Sequence, residues 1–303
     1  MIPQRVQMSS RLLLVDGHAY AYRAFYAIRS LNGPDGAPTN ALYGFVKMLT
    51  KLELILKPTH RLVVWDGGLA AERLALLPDY KAQRPPTPDA LVTQLPQLAT
   101  WLTAAGWATH EQNGVEADDW IGTYTRRADA AGWQVVIASS DKDFQQLVSE
   151  RVGLFNPSDK TEKVWGIADV EAKIGVLPSQ VIDWLALVGD AVDNIPGVPG
   201  VGAKTATDLL KRFGSIDGLL AGVANIKHER LRIEVQKNAE LLRRNQQMVG
   251  LKCDLVGGPD LPSLVPQSPQ KASLREMYGR WGFRSLLSEL GEEGQPSQAN
   301  LFS

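Results

Sequence analysis

The sequence of 303 residues has a single cysteine, Cys253, so no intramolecular disulfide can form and a multi-cysteine zinc site is excluded. With only four histidines, soft-metal ligation is poorly provided for, and a metal held here must be held by oxygen. No apolar run approaches the roughly 18 residues of a membrane span. The opening stretch, MIPQRVQMSS, has no apolar signal core, so the expected setting is a reducing cytoplasm without membrane attachment. An excess of one charge is also missing: 32 basic and 33 acidic residues leave a net charge of −1. That sum hides segregation. Between Val201 and Lys252 stand ten basic and five acidic residues, so the rear of the chain is basic and the front acidic. Such a division suits an enzyme that gathers cations at one site and phosphates at another, although a solvated helix face has the same composition.

At 44% hydrophobic residues the chain can bury a sizeable core, and its length suits a large α/β unit with an appended module. Three short apolar runs end in aspartate: Leu12–Asp16, Leu62–Asp66 and Val135–Asp141. They read as buried parallel strands, separated by helices from Asn40 to Leu56 and from Asp118 to Ala131. Strands alternating with helices predict a doubly wound parallel sheet, whose sites lie beyond the carboxyl ends of the strands. The three aspartates then converge on one crevice. From Leu74 to Ala105 a basic stretch, a proline run and one amphipathic helix, Asp89 to Ala104, read as an insertion above the sheet edge. After about Gly175 helices dominate, over Pro178–Val188, Ala203–Phe213, Ile216–Leu220 and His228–Met248, followed by a helical island at Leu274–Leu290.

Six more carboxylates join the strand-end aspartates: Glu116, Asp118, Asp119, Asp143, Asp190 and Asp193. Each has a local explanation. Glu116 and Asp119 share one helix face and complement the helix dipole, Asp143 can cap Phe144–Val148, and Asp190 can cap a turn. Brought together, however, they repel one another unless cations are bound among them. Magnesium takes oxygen ligands, and two such ions can activate water and stabilise the leaving oxygen of a phosphoryl displacement. The pattern predicts a metal-dependent phosphodiesterase. The glycine-punctuated segment Asn194–Ala206 runs into a helix whose backbone N–H groups and Lys204 can take a phosphate, though a tight helix–helix turn needs the same glycines. Lys81 and Arg84 facing the acids would neutralise charge on a scissile phosphate. Tyr20, Tyr22, Arg23, Phe25 and Tyr26 suggest a helix with a phosphate-reaching arginine, while core packing explains the aromatics equally well.

These pieces, in this order, resemble the 5'-nuclease domain of bacterial DNA polymerase I, in the flap endonuclease superfamily. The motifs are Leu14-Val15-Asp16-Gly17-His18 with Tyr22-Arg23-Ala24-Phe25, Thr39 to Phe45, Tyr80 to Pro86, Glu116-Ala117-Asp118-Asp119, Ser140-Asp141-Lys142-Asp143 and Gly189 to Val198. The resemblance implies an α/β fold: a PIN-like central parallel sheet flanked by helices, a helical arch at about 70–105 within residues 1–175, and a helical DNA-binding module over 176–290. It implies that Asp16, Asp66, Glu116, Asp118, Asp119, Asp141, Asp143, Asp190 and Asp193 are the metal-site carboxylates, with Asp16, Asp118 and Asp141 central to catalysis. Lys81 and Arg84 are implied to act on the scissile phosphate from the arch, with Tyr80 and Arg23 also on DNA. Gly197, Gly200, Gly202, Lys204 and Thr205 are implied to form a helix-hairpin-type duplex grip over 194–213 that holds potassium in relatives. Two departures stand out: Ala191 and Val192 replace small polar residues, and no aromatic precedes Arg73.

The resulting expectation is a monomeric, nucleoid-associated, magnesium-dependent 5'-3' exonuclease and flap endonuclease, with manganese as a substitute, acting on duplex DNA with 5' flaps, nicks or gaps, including RNA primers. The rivals are a PIN-type ribonuclease, whose small size leaves no room for the basic helical module, and a junction-binding protein without catalysis, which a full set of carboxylates opposes. At 291–303 a tail rich in Gly, Pro, Ser and Gln carries Gln298, Leu301 and Phe302 in the pattern of a peptide that docks on the bacterial sliding clamp.

Overall fold

The computed structural model describes residues 10–291. Strands β1 (Arg11–Asp16), β2 (His60–Val64), β3 (Ala108–His110), β4 (Gln134–Ala138), β5 (Val152–Phe155) and β6 (Val164–Trp165) form one sheet in the order β3-β2-β1-β4-β5-β6. The first five are parallel and β6 runs antiparallel on the edge. The chain winds outward from β1 in both directions, so the carboxyl ends of β1 and β4 meet at the switch point where such sheets hold ligands. Strand β1 is buried on both faces. Leu13 and Val15 enter one core and Leu12 and Leu14 the other.

On the first face lie α1 (Gly17–Ala27), α2 (Asn40–Leu56), α4 (Asp89–Val92) and α5 (Leu95–Ala104), whereas α3 (Ala71–Leu76), which opens the arch segment, packs Leu74 against the second core. The helix expected from Asp89 to Ala104 is broken at Gln94, whose buried amide has a different task. Its Oε1 accepts from the Ala41 and Leu42 amides at 2.9 and 3.2 Å, capping α2, while Nε2 donates to Ala90 O and Asn40 Oδ1. The arch expected over 70–105 is accordingly shorter. Leu98, Trp101 and Leu102 of α5 are buried in the first core, so α5 belongs to the layer under the sheet. The basic stretch of the arch is a run of turns without helix.

The second face carries α6 (Ala117–Ala130), α7 (Ile167–Ile174) and α8 (Val181–Val188). Helix α8 leads into a short hairpin of two-residue strands, β7 (Gly189–Asp190) with β8 (Ile195–Pro196), and then α9 (Ala203–Phe213), α10 (Ile216–Ala221), α11 (Glu229–Lys237) and α12 (Ala239–Val249). These build a third core from Leu187, Val201, Leu210, Leu219 and Leu242. The helix expected from His228 to Met248 is divided at Asn238, whose Nδ2 donates to Glu234 O at 2.8 Å and closes α11. A strap then crosses α6, with Arg127 donating to the Leu255 and Gly257 carbonyls and Tyr124 to that of Pro259. It returns the chain to α13 (Lys271–Trp281) and α14 (Arg284–Glu289), separated by left-handed Gly282 (φ 76°). Leu274, Met277, Tyr278 and Trp281 pack into the first core, and Trp101 Nε1 donates to Tyr278 OH at 2.9 Å. The stretch 271–290, expected in the helical module, therefore packs with the nuclease layer because its aromatic face is complementary to α2 and α5.

Candidate metal centre

Asp16 ends β1 and begins α1. Its Oδ1 accepts from the Ala19 amide at 2.9 Å and Oδ2 from Ser139 Oγ at 3.1 Å, so the carboxyl is fixed between two strand ends. Ser139 Oγ in turn accepts from the Asp141 amide, and Asp141 Oδ1 from the Asp143 amide at 2.8 Å. Asp143 was expected to cap Phe144–Val148. Instead Asp141 shapes that turn, and Asp143 is free to face the crevice. Across from it the hairpin of β7 and β8 delivers Asp190 and Asp193, and one oxygen from each of Asp143, Asp190 and Asp193 lies within 4.8 Å of the others. The hairpin closes tightly because it has glycine where a side chain would collide: a Cβ on Gly197 would stand 2.1 Å from Val188 O.

The electrostatic strain of this gathering is plain. Burial, with Asp141 adding to it, raises Asp16 to about 6 despite the Ala19 hydrogen bond. Burial, then Asp141 and Asp190, raises Asp143 to about 8. Asp118, one residue into α6, is raised well above the usual carboxylate range by burial and by Asp141 and Asp16. Asp141 itself is raised, chiefly by burial. Asp143 Oδ1 is buried with no hydrogen-bond partner. An all-oxygen donor set, crowded like charges and an unpartnered buried carboxylate oxygen fit hard divalent cations.

Three cations reach into the crevice. Lys81 Nζ stands 2.6 Å from Glu116 Oε1, Arg84 Nη2 2.6 Å from Asp193 Oδ1, and Lys142 Nζ 3.0 Å from Asp190 Oδ2. Burial opposes the Lys81 ammonium, but Glu116 and Tyr80 outweigh it and raise its pKa. Lys81 and Asn194 both adopt left-handed backbone, at φ 56° and 59°, where the arch clamps the hairpin: Lys81 N donates to Asp193 O, and Asn194 Nδ2 to Asp79 O. Such conformations each cost about 1–3 kcal/mol and persist only where the surroundings enforce them. Lys142 and Ser139 are not among the residues expected at the site. Their signal was present, since both are spaced to flank Asp141 at the end of β4.

The other expected residues divide. Asp66 lies beside Asp16 and adds to its repulsion, but its Oδ1 accepts from the Gly68 amide and its own amide donates to His18 Nδ1. Tyr80 OH donates to Glu116. Asp119, expected among the metal-site carboxylates, has both oxygens engaged by protein donors. Arg73 Nη1 and Nη2 grip its two oxygens at 2.9 and 2.8 Å, and the Lys252 amide adds a third bond. Glu116 and Asp119 do share one helix face, and that face meets Arg73, which also donates to the Met248 and Gly250 carbonyls. Arg23 is held by Ser158 Oγ and Pro157 O at the other side of α1. Away from all these, Gly200 (φ 80°) and Gly202 form an open turn into α9, with Lys204 exposed and Thr205 half-buried on its first turn. Gln298, Leu301 and Phe302 lie outside the described residues.

Comparison with known proteins bears on the whole arrangement. Residues 11–175 match the family model of the 5'-3' exonuclease N-terminal resolvase-like domain, and residues 176–272 that of the 5'-3' exonuclease C-terminal SAM fold. A 5'-3' exonuclease of Aquifex aeolicus is 37% identical over 96% of this chain and 99% of its own length. DNA polymerase I of Bacillus caldotenax is 36% identical over 95% of this chain, which spans only 34% of that polymerase. Among solved structures, the D15 protein of phage T5 crystallised with metal ions superposes with a TM-score of 0.66 at 22% identity, covering 92% of this chain and 96% of its own. The Rad2 catalytic core in complex with DNA substrate gives 0.62 at 16%, covering 93% and 92%. At those identities the two structures speak for a shared fold. Among the described residues no helix is long and apolar enough to cross a membrane.

Proposed function

Because the chain belongs to the 5'-3' exonuclease family, we propose that it hydrolyses phosphodiester bonds at the 5' ends and 5' flaps of nicked or gapped duplex DNA, RNA primers included, with magnesium as its working metal and manganese as a substitute. The observation that carries the reading is the convergence of Asp16, Asp118 and Asp141 with the Asp143, Asp190 and Asp193 group at the switch point of the sheet. Asp16, Asp118, Asp141 and, at the rim, Asp66 would hold one cation, and Asp143, Asp190 and Asp193 a second, with Glu116 joining the first once Lys81 turns to DNA. Divalent ions held there would supply a water of lowered pKa and neutralise charge on the phosphate.

The chain's own residues do the rest. Lys81 and Arg84 are already charged and already in the crevice, so a phosphate entering between the arch and the hairpin exchanges their carboxylate partners for its own oxygens. Tyr80, hydrogen-bonded to Glu116, fixes the turn that presents Lys81. Arg23 takes phosphate on the side of α1. Gly197, Gly200, Gly202, Lys204 and Thr205 grip the intact duplex through backbone N–H groups and one exposed ammonium, and the same turn would hold potassium. The enzyme acts as a monomer, and the segment with Gln298, Leu301 and Phe302 docks on the sliding clamp. A fluorescent peptide of the last ten residues should bind clamp saturably and lose binding on Leu301→Ala with Phe302→Ala.

A gel of 5'-labelled flap, nick and single-strand substrates tests the central reading. Cleavage near the flap junction with magnesium and none in EDTA is expected, whereas tight flap binding with no cleavage at any divalent ion would leave a junction-binding protein.

A further inference from the structure

Between α1, α2 and the loop that follows β5 lies a cavity of about 390 Å3, within the size range of small-molecule sites. None of its residues except Arg23 figures in the reading above. Its walls are mostly apolar, with Met48, Leu52 and Phe155 among them, and its charged groups are the cations Arg23, Lys51 and Lys160 and the acids Asp159 and Glu162. Tyr20 lines it from α1. The residue is 1% exposed, yet its hydroxyl has no hydrogen-bond partner. A buried hydroxyl left unpaired is costly, and the usual reason for keeping one is that a ligand completes it.

The charges around that hydroxyl are unbalanced. Arg23 donates only to neutral oxygens, Ser158 Oγ at 2.7 Å and Pro157 O at 2.6 Å. Lys160 makes no ion pair among the described residues, whereas the two acids of the lining are already engaged. Asp159 accepts from Trp165 Nε1 and the Thr161 amide, and Glu162 pairs with Lys51. Tyr20, Arg23 and Lys160 thus line a cavity whose two acids are already engaged and whose other walls are apolar, which suits a ligand that is anionic at one end and apolar at the other. The location narrows the choice. Tyr20 stands one helical turn beyond Asp16, and its hydroxyl feels both Arg23 and the Asp16 carboxyl, so the cavity adjoins the metal centre.

We propose that this cavity is a subsite for a nucleoside 5'-monophosphate unit, occupied by the 5'-terminal nucleotide of the strand being cut, with its phosphate on Tyr20, Arg23 and Lys160 and its base against Phe155 and Met48. The assignment rests on the nuclease reading for the identity of the strand, but not for the chemistry of the pocket. The two can be tested apart. Thymidine 5'-monophosphate and thymidine are titrated into the full chain in EDTA, where no cleavage occurs, and binding is followed by thermal shift and intrinsic fluorescence. The monophosphate should saturate and bind at least about tenfold more tightly than the nucleoside, since charge-assisted bonds to the phosphate carry the difference. Tyr20→Phe should weaken the monophosphate about fivefold and raise the melting temperature of the free protein, because the orphan hydroxyl is gone. Lys160→Ala, at an exposed position, should weaken binding to a similar extent without touching the fold. In the Asp141→Asn protein a one-nucleotide flap should displace the monophosphate better with a 5'-phosphate than with a 5'-hydroxyl. No saturable binding of the monophosphate, equal affinity for thymidine, binding indifferent to both substitutions, or no preference for the phosphorylated flap would each overturn the subsite. Flap cleavage with magnesium, measured separately, would stand in every one of those cases.

Discussion

The acidic crevice and the glycine turn before α9 both face DNA in the proposed reading, yet they are built on opposite principles. In the crevice, carboxylates are buried beside one another, two raised to about 6 and about 8, and two non-glycine residues are held in left-handed backbone. At the turn, Gly200 supplies the left-handed conformation without strain, Gly202 and the first residues of α9 are exposed, and so is Lys204. The first region is costly to fold and stores electrostatic work that cations release. The second costs little and contributes attraction that salt screens. Rate and affinity should therefore be separable by mutation.

The sharpest break is expected from Asp141→Asn. It removes the carboxylate that lies between the two acidic groups and should lower the single-turnover cleavage rate about a thousandfold. Flap binding in calcium or EDTA should persist, because the grip lies elsewhere. Anisotropy titrations beside quenched-flow rates measure both, and a parallel loss of affinity would show that the two regions are not independent.

Arg73→Ala tests the support of the crevice. The guanidinium is 5% exposed and satisfies Glu116, Asp119 and two carbonyls at the end of α12. Removing it leaves buried Asp119 without a counter-charge and Glu116 with Lys81 as its one remaining cation, which should cost about 3–5 kcal/mol in urea unfolding. Arg73→Lys should recover only part of this, since one ammonium cannot fill the bidentate site. A loss under about 1 kcal/mol would mean that the network is not a support.

Much of this architecture could be read from the chain. The three runs ending in aspartate lie where parallel strands place their carboxyl ends, and that periodicity is local information. Arg73 was legible only as a departure, because its partners Met248 and Gly250 are about 175 residues away and nothing local marks the strap that returns there. The partner of Asp119 was hidden for the same reason: spacing puts it on the face with Glu116, but what that face meets is decided by tertiary packing. Helix breaks at Asn238 and Gly282 were missed because amphipathic periodicity continues across both, and only the side-chain bond of Asn238 and the φ of Gly282 end the helices.

Proton linkage offers a gentler test of the stored repulsion. Asp16, Asp118, Asp141 and Asp143 all have raised folded-state pKa values, so the metal-free protein takes up protons on folding. That stabilisation is complete below the ordinary carboxylate range near pH 4 and is lost as pH rises through about 6 and about 8. In EDTA the melting temperature should thus fall between pH 5 and pH 9, by several degrees. Magnesium, binding only the folded site, should raise it more at the alkaline end. A flat profile in EDTA would deny the crevice its strain.

The smallest effect should come from Lys204→Ala, and it bears most directly on the second region. Lys204 is exposed on the first turn of α9 and has no ion-pair partner among the described residues, so its loss should leave the melting temperature unchanged. If it neutralises one phosphate, affinity should fall only a few-fold and the slope of log K against log salt should flatten by about 0.9. Lys81→Ala makes the contrast. Lys81 is buried against Glu116, so its replacement should slow single-turnover cleavage by about 100-fold while leaving the salt slope nearly intact. The decisive quantity is the pair of slopes rather than either affinity, because a general loosening of the protein would lower both affinities without changing how many counterions are released. Equal slopes in the two variants would mean that the arch and the turn contact phosphate in the same way, and the division between a strained catalytic crevice and an open grip would fail.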